Sequence, residues 1–508
     1  MQSRDPRSLL LEMSDTTWAA ASGRPLPCEP RLGTRLACAA ARLLNFNSTT
    51  PVHTLPPTSP QTHISYHQDS LAKYRNGRPT SLLNSFAAHA RPNAARKDVH
   101  LSTHICFPAT RADDDDFYST SQNPDDVVIT LAIRTPLAKG GKGGLKDTPL
   151  DGLVFKILEQ VVRKSRIDPQ MVEDICLGNV SDAKAAYYVR AACLAAGFPS
   201  TTAASSVNRF CSSGLKAVQD IANQIMTGSI EIGVAVGAEH MTTGGDRLTR
   251  PFVDEIVNSN QDAKDCLMPM GQTSENVGKD FNISREQQDR YAAESYRRAE
   301  AAQKAGWFDD EITPITVKVD GKDVTLTRDE GIRPGTTYEG LAKIRPAFPD
   351  FGDRSTGGNS SQVTDGAAAV LLMKRSKALE MNQPILAKFV GATVAGLAPR
   401  IMGIGPSIAV PKLLTKYGLT MDDIDVVELN EAFASMAVYC KDALKIPYEK
   451  MNPRGGAIAL GHPLGCTGAR QICTGLSECR RRKAKILLTT MCIGTGMGMA
   501  GLFVNEQL

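Results

Sequence analysis

The sequence predicts an α/β protein made of two similar halves. Three observations carry this: short β-branched runs alternating with helically spaced apolar residues, a cysteine-centred pattern that returns after 255 residues, and glycines concentrated downstream of residue 112. The 508-residue chain is 42% hydrophobic and 22% charged, which is a globular composition and excludes fibrous and disulfide-stapled classes.

Residues 1–124 form a leader or linker rather than a domain. Only Gly23, Gly33 and Gly77 fall before residue 112, prolines are frequent, and no apolar period is sustained. Residues 1–111 hold 13 Lys/Arg against 6 Asp/Glu, so the rest of the chain is slightly acidic despite a net charge of +4. The folding part is therefore not a basic nucleic-acid binder. The Arg-rich stretch Arg31–Leu36 suits organelle import, and a spurious start to the reading frame is the alternative.

From Val127 to Ile133 a β-branched run reads as a strand, and Leu153, Ile157, Leu158 and Val161 follow at helical spacing. Further strand candidates are Ile232–Val236, Ala367–Met373, Ile385–Val394, Val426–Leu429 and Ile486–Thr490. The uncharged run Ile486–Phe503 reaches membrane-spanning length, but four glycines and three threonines make it strand, turn, strand.

The internal repeat lies in two helix openings. Phe210-Cys211-Ser212-Ser213-Gly214 starts one, and Gly465-Cys466-Thr467-Gly468 starts the other; 26 residues past each cysteine stand Gly237 and Cys492 at glycine-rich strand ends. The halves are 125–376 and 377–508, with a polar insertion at about 246–354 in the first, including a helix from Arg285 to Ala305.

The 12 cysteines are dispersed, with no CxxC pair and no zinc-ligand spacing, so no metal is expected and a reducing compartment is. Cys211 lies just outside a helix N-terminus, where the dipole and free N–H groups favour thiolate; a small buried cysteine is the alternative. Only His240 and His462 remain downstream for imidazole chemistry. His462 sits in the glycine-rich Asn452–Arg470 segment, as a catalytic base or a turn cap, while His240 ends a strand and is satisfied by neighbouring backbone. Cys492 ends a strand before a glycine turn, and Asn430 follows another strand, to cap a helix or hold a water. Gly496-x-Gly498-x-x-Gly501 fits a dinucleotide fingerprint by chance, since no helix can follow it.

In combination these segments resemble the thiolase family: Asn208–Gly214, Asn430-Glu431-Ala432-Phe433, Gly461-His462-Pro463 and Cys492–Gly496. The resemblance runs from about Asp125 to the C-terminus. Val128–Pro136 and Cys266–Gly271 look most like the 3-ketoacyl-CoA thiolases of peroxisomes.

The resemblance implies a homodimer of five-layered α/β/α/β/α subunits with a loop domain over a coenzyme A site. It implies thiolysis of 3-ketoacyl-CoA in fatty acid β-oxidation by a ping-pong route, with coenzyme A as co-substrate and no permanently bound cofactor. Cys211 would accept the acyl group, His462 activate it, Cys492 act as acid and base, and Asn430 hold a water in an oxyanion site. Backbone N–H groups of Cys211 and Gly494 would form a second oxyanion site, and Arg333 and Ser361 would contact coenzyme A. The family's peroxisomal signal would expect an import receptor as partner. Leu83, Ala87, His89 and Ala90 fit that pattern, but Leu82 stands where a basic residue belongs, so a mitochondrial destination stays open.

Three rivals share parts of this pattern. A ketoacyl synthase would have no use for Cys492, a short-chain acetoacetyl-CoA thiolase tends to carry His where Pro269 stands, and a thiolase-like lipid carrier would not need all four elements intact.

Overall fold

The computed structural model describes residues 122–244 and 252–508. The leader, its import-signal candidates and the first residues of the insertion lie outside the described residues.

The first half runs β1 (Val127–Arg134), β2 (Ala138–Lys139), α1 (Leu150–Ser165), β3 (Asp174–Gly178), α2 (Ala185–Ala195), β4 (Ala203–Val207), α3 (Ser213–Met226) and β5 (Ile232–His240). The insertion follows: α4 (Asp254–Ser259), α5 (Gln261–Asp265), α6 (Met270–Asp280), α7 (Arg285–Lys304), the hairpin β6 (Ile315–Val319) and β7 (Lys322–Leu326), and α8 (Tyr338–Leu341). The chain returns through β8 (Thr364–Lys374) and α9 (Arg375–Glu380). The second half comprises β9 (Ala387–Gly396), α10 (Gly405–Lys416), β10 (Val426–Leu429), α11 (Ala434–Ala443), α12 (Ala457–Leu460), α13 (Thr467–Arg482), β11 (Ile486–Ile493) and β12 (Met497–Asn505).

Strand order shows the duplication directly. The first half is ordered β1-β8-β5-β3-β4 and the second β9-β12-β11-β10, with Met451 in a parallel bridge to Val427 where the equivalent of β4 would lie. The senses agree as well: the two pairs involving β8 match the two involving β12 as antiparallel, and β3–β5 matches β10–β11 as parallel. The halves join where Val128 and Ile129 of β1 pair with Lys388 and Ala387 of β9.

α3 and α13 fill the layer between the two halves of the continuous ten-stranded sheet. α3 is the expected amphipathic helix, burying Leu215, Val218, Ile221, Ala222 and Ile225, each contributing about 1.5–3 kcal/mol if aliphatic and large. α13 is polar in composition, yet Thr467–Cys479 are all buried. Most of its polar groups are paired: Arg470 with Glu428, Glu478 with Arg454, and the Gln471 amide N–H with the carbonyls of Glu428 and Thr490, while Arg470 Nε and Gln471 Oε1 have no hydrogen-bond partner among the described residues. α1 packs outside the first sheet and α10 outside the second, completing five layers.

The central helices approach through glycines. A Cβ on Gly214 would lie 2.6 Å from the Gly465 carbonyl oxygen, and one on Gly468 would collide with the Leu215 amide. The Ile486–Phe503 run is strand, turn, strand as expected, and no described helix is long and apolar enough to cross a membrane.

Candidate active site

Because α3 and α13 meet near their N-termini, the segments that precede them are brought side by side. Ser212 is the N-cap of α3, so Cys211 lies one residue outside the helix. Phe210 before it is held in the left-handed region at φ 46°, a conformation that costs about 1–2 kcal/mol for a residue with a Cβ. The turn closes through Ser213, whose Oγ accepts from the Arg209 N–H and donates to the Phe210 carbonyl. Cys211 is 8% exposed, so it is packed but reachable.

His462 is fixed from several sides. Its N–H donates to the Gln362 carbonyl, and the Gly465 N–H donates to the buried Glu239 carboxylate, which also accepts from Asn179, Val180 and Ser181. His462 Nδ1 lies 2.6 Å from Thr467 Oγ1, and that hydroxyl is 3.0 Å from the Pro463 carbonyl, to which it donates. The hydroxyl then accepts from Nδ1–H. On the other side of the ring, Asn430 Nδ2 approaches Nε2 at 3.3 Å. Both contacts fit the same tautomer, with the proton on Nδ1 and the Nε2 lone pair accepting from the Asn430 amide. Burial, with Arg470 adding to it, pushes the His462 pKa down to about 3, so the ring is neutral.

Asn430 follows β10 and donates its backbone N–H to the Thr490 carbonyl, two residues before Cys492 on β11. It does not cap α11, whose N-cap is Phe433. Its Oδ1 is buried without a hydrogen-bond partner among the described residues. Cys492 is 1% exposed; burial holds its thiol well above the ordinary range, and Cys211 adds to the shift electrostatically. A small apolar cluster surrounds Cys492: Met402, Ala432 and Met436, with Met270 and Phe433 packed against it. Gly494 faces Phe210, its notional Cβ 3.5 Å from that ring. The segments carrying Cys211, Cys492, Asn430 and His462 are thus brought together from both halves.

The two residues expected at coenzyme A are less constrained. Arg333 is exposed, with its carbonyl accepting from Thr336. Ser361 is half-buried and donates its N–H to the Ala432 carbonyl, strapping its loop to the Asn430 turn. His240 is structural: Nε2 meets the Leu145 carbonyl at 3.2 Å and Nδ1 the Thr243 hydroxyl at 2.8 Å.

Two residues went unassigned in the sequence reading. Glu431, next to Asn430, accepts from Tyr291, Ser295, Asn452 and the Ile458 N–H, so one carboxylate joins α7, the Asn430 turn and α12. Its place inside a motif was the available signal. Thr467 reads in the sequence only as part of a helix opening, and its hydroxyl beside His462 has no signature in one dimension.

Two family models match: "Thiolase, N-terminal domain" over residues 127–376 and "Thiolase, C-terminal domain" over 383–505. The chain is 52% identical over 394 residues to the peroxisomal 3-ketoacyl-CoA thiolase of Yarrowia lipolytica, covering 76% of this chain and 95% of that one. It is 51% identical over 385 residues to the rat peroxisomal 3-ketoacyl-CoA thiolase B, covering 74% and 90%. The crystal structure of the dimeric peroxisomal thiolase of Saccharomyces cerevisiae superposes with a TM-score of 0.73 at 46% identity, over 76% of this chain and 99% of that one. Human mitochondrial 3-ketoacyl-CoA thiolase in complex with CoA gives 0.67 at 35% identity, over 75% and 98%.

Proposed function

The chain belongs to the thiolase family, and on that premise we propose that it cleaves 3-ketoacyl-CoA with coenzyme A to acetyl-CoA and a shortened acyl-CoA, through an acyl-Cys211 intermediate. It is an acyltransferase of β-oxidation, a homodimer like its yeast relative, and works in the peroxisome, the compartment in the relatives' names.

The observation that carries this reading is the pairing of a reachable cysteine with a deeply buried one, beside a neutral imidazole whose basic nitrogen accepts from the Asn430 amide. In the first half-reaction Cys211 gives its proton to His462 Nε2, and its sulfur attacks the 3-keto carbon. The C2–C3 bond breaks, and its electron pair leaves as the acetyl-CoA enolate, which takes a proton at carbon from Cys492. A buried cysteine with a raised pKa is protonated at rest, as a donor to carbon must be. In the second half-reaction the Cys492 thiolate takes the proton of incoming coenzyme A, whose sulfur displaces Cys211 from the thioester, and the released Cys211 thiolate takes back the proton held by His462 Nε2.

Charge develops on two carbonyl oxygens, and each preorganised donor site is worth about 3 kcal/mol. Asn430 with His462 would serve one, and the N–H groups of Cys211 and Gly494 the other. Arg333 and Ser361 would meet coenzyme A, and the partly exposed Met270 and Phe433, backed by buried Met402 and Met436, offer apolar surface to an alkyl chain.

Replacing Cys211 with Ala should lower thiolysis by about four orders of magnitude or more while preserving the dimer; retained turnover overturns the assignment. Cys492→Ala should block proton exchange at the acetyl-CoA methyl yet still allow Cys211 to be acylated by an acyl-CoA. Undiminished exchange would remove Cys492 from its role.

A further inference from the structure

Behind His462 the structure closes a ring of contacts that the reaction as written does not use. His462 Nδ1 bonds Thr467 Oγ1 at 2.6 Å, and Arg470 lies one turn further along α13. Arg470 Nη1 meets Glu428 Oε2 at 2.9 Å; Glu428 precedes Asn430 by two residues, and Asn430 Nδ2 returns to His462 Nε2 at 3.3 Å. Gln471 fastens the same ring to both strands through the carbonyls of Glu428 and Thr490. Glu428 and Arg470 are each 1% exposed.

We propose that Glu428 and Arg470 form a positioning pair that sets the charge felt by His462: ionised Glu428 cancels the guanidinium facing the ring and so lets Nε2 accept the Cys211 proton. This rests on the roles proposed above for Cys211 and His462. The proton moves from Cys211 Sγ to His462 Nε2, leaving a thiolate and an imidazolium. An imidazolium beside an uncancelled Arg470 is disfavoured, and Arg470 already depresses the pKa of the neutral ring.

The pair is poised rather than fixed. Burial raises the Glu428 pKa to about 7 against the pull of Arg470; Glu311 from the insertion and Glu431 from its own turn push the same way. Glu428 Oε1 has no hydrogen-bond partner among the described residues, so its second oxygen gains nothing from the ionised form. As the pH falls through about 7 Glu428 takes up a proton, Arg470 is less cancelled and Cys211 is harder to deprotonate; above it the pair is neutral overall and only burial still opposes charge on His462.

The test is the pH profile of kcat/KM for acetoacetyl-CoA thiolysis by the full chain. The native protein should gain about tenfold between pH 6 and 8, the effect of roughly one pKa unit on the imidazole. Glu428→Gln keeps the shape and an acceptor for Arg470 but not the charge. It should stay on the low-pH plateau throughout, with KM for coenzyme A unchanged, whereas Glu428→Asp should retain the rising limb. A Glu428→Gln profile that matches the native one overturns the inference. If Glu428→Gln does not fold, alkylation of Cys211 by iodoacetamide in the native protein and in Glu428→Asp decides: a limb that moves between the two supports the pair, and one that stays in place overturns it. Turnover by Cys211→Ala would instead defeat the underlying assignment, so the two failures are distinguishable.

Discussion

The two central helices hold equivalent places in a duplicated fold and carry opposite chemistry. α3 is amphipathic and buries one apolar face, and the cysteine before it is reachable; α13 is polar, fully packed over its first thirteen residues, and its N-cap cysteine, Cys466, is 0% exposed. Burial pushes the Cys466 thiol up to about 12. The strand ends differ in the reverse sense. The second half places Cys492 where the first has Gly237, and a Cβ on Gly237 would lie 2.6 Å from the Gly465 carbonyl oxygen. On the roles proposed above, the duplication supplies two positions for a nucleophile and two for a proton-handling thiol, and the halves differ at them in packing, not in topology.

The strongest way to break this comparison is to restore the missing symmetry. Gly237→Cys would force a side chain into the backbone that leads to α13, where none of the three nearest neighbours, the Gly465 carbonyl oxygen, Cys466 Cα and Ala469 Cβ, is a flexible side-chain end. Overpacking of this kind costs about 3 kcal/mol. A clear fall in the urea midpoint is expected, with thiolysis lost as the His462 segment shifts. An unchanged midpoint would mean that α13 can withdraw without penalty, and that Gly237 is not glycine for steric reasons.

How much of this was legible in the sequence follows from the range of each interaction. The repeat was readable because glycines and cysteines at helix openings recur at fixed spacing, and β10 and the β11–β12 turn emerged from short apolar runs. Burial of α13 was not: a helix containing Arg470, Gln471 and Glu478 reads as a surface helix until its partners are known, and Glu428 is 42 residues from Arg470. Glu431 was visible as a motif residue, but Tyr291 and Ser295, which fix it, are 140 and 136 residues away. Side-chain pairing between elements leaves no periodic trace.

A finer probe asks whether the polar character of α13 serves His462. Thr467→Val preserves volume and removes the hydroxyl that accepts from Nδ1. The ring then loses the partner that fixes its tautomer, and kcat should fall by about tenfold with little change in KM for coenzyme A. Steady-state kinetics in both substrates separates the two constants. A fall in KM affinity with kcat intact would assign Thr467 to substrate binding instead.

The smallest effect should come from Cys466, the counterpart of Cys211 in the second half. It touches the Gly214 crossing through its backbone carbonyl, which lies 3.4 Å from the notional Cβ there, and its side chain is enclosed. Cys466→Ala therefore removes one buried sulfur, a loss of about 1 kcal/mol in stability, and leaves the His462 and Cys492 segments untouched. Turnover within about twofold of native is expected, against the near-complete loss for Cys211→Ala. Native Cys466 should also resist iodoacetamide under conditions that modify Cys211, because its thiol is both inaccessible and protonated. Rapid modification of Cys466 in the folded protein would show that α13 opens at its N-terminus, and the packing asymmetry between the two helices would then not be what singles out Cys211.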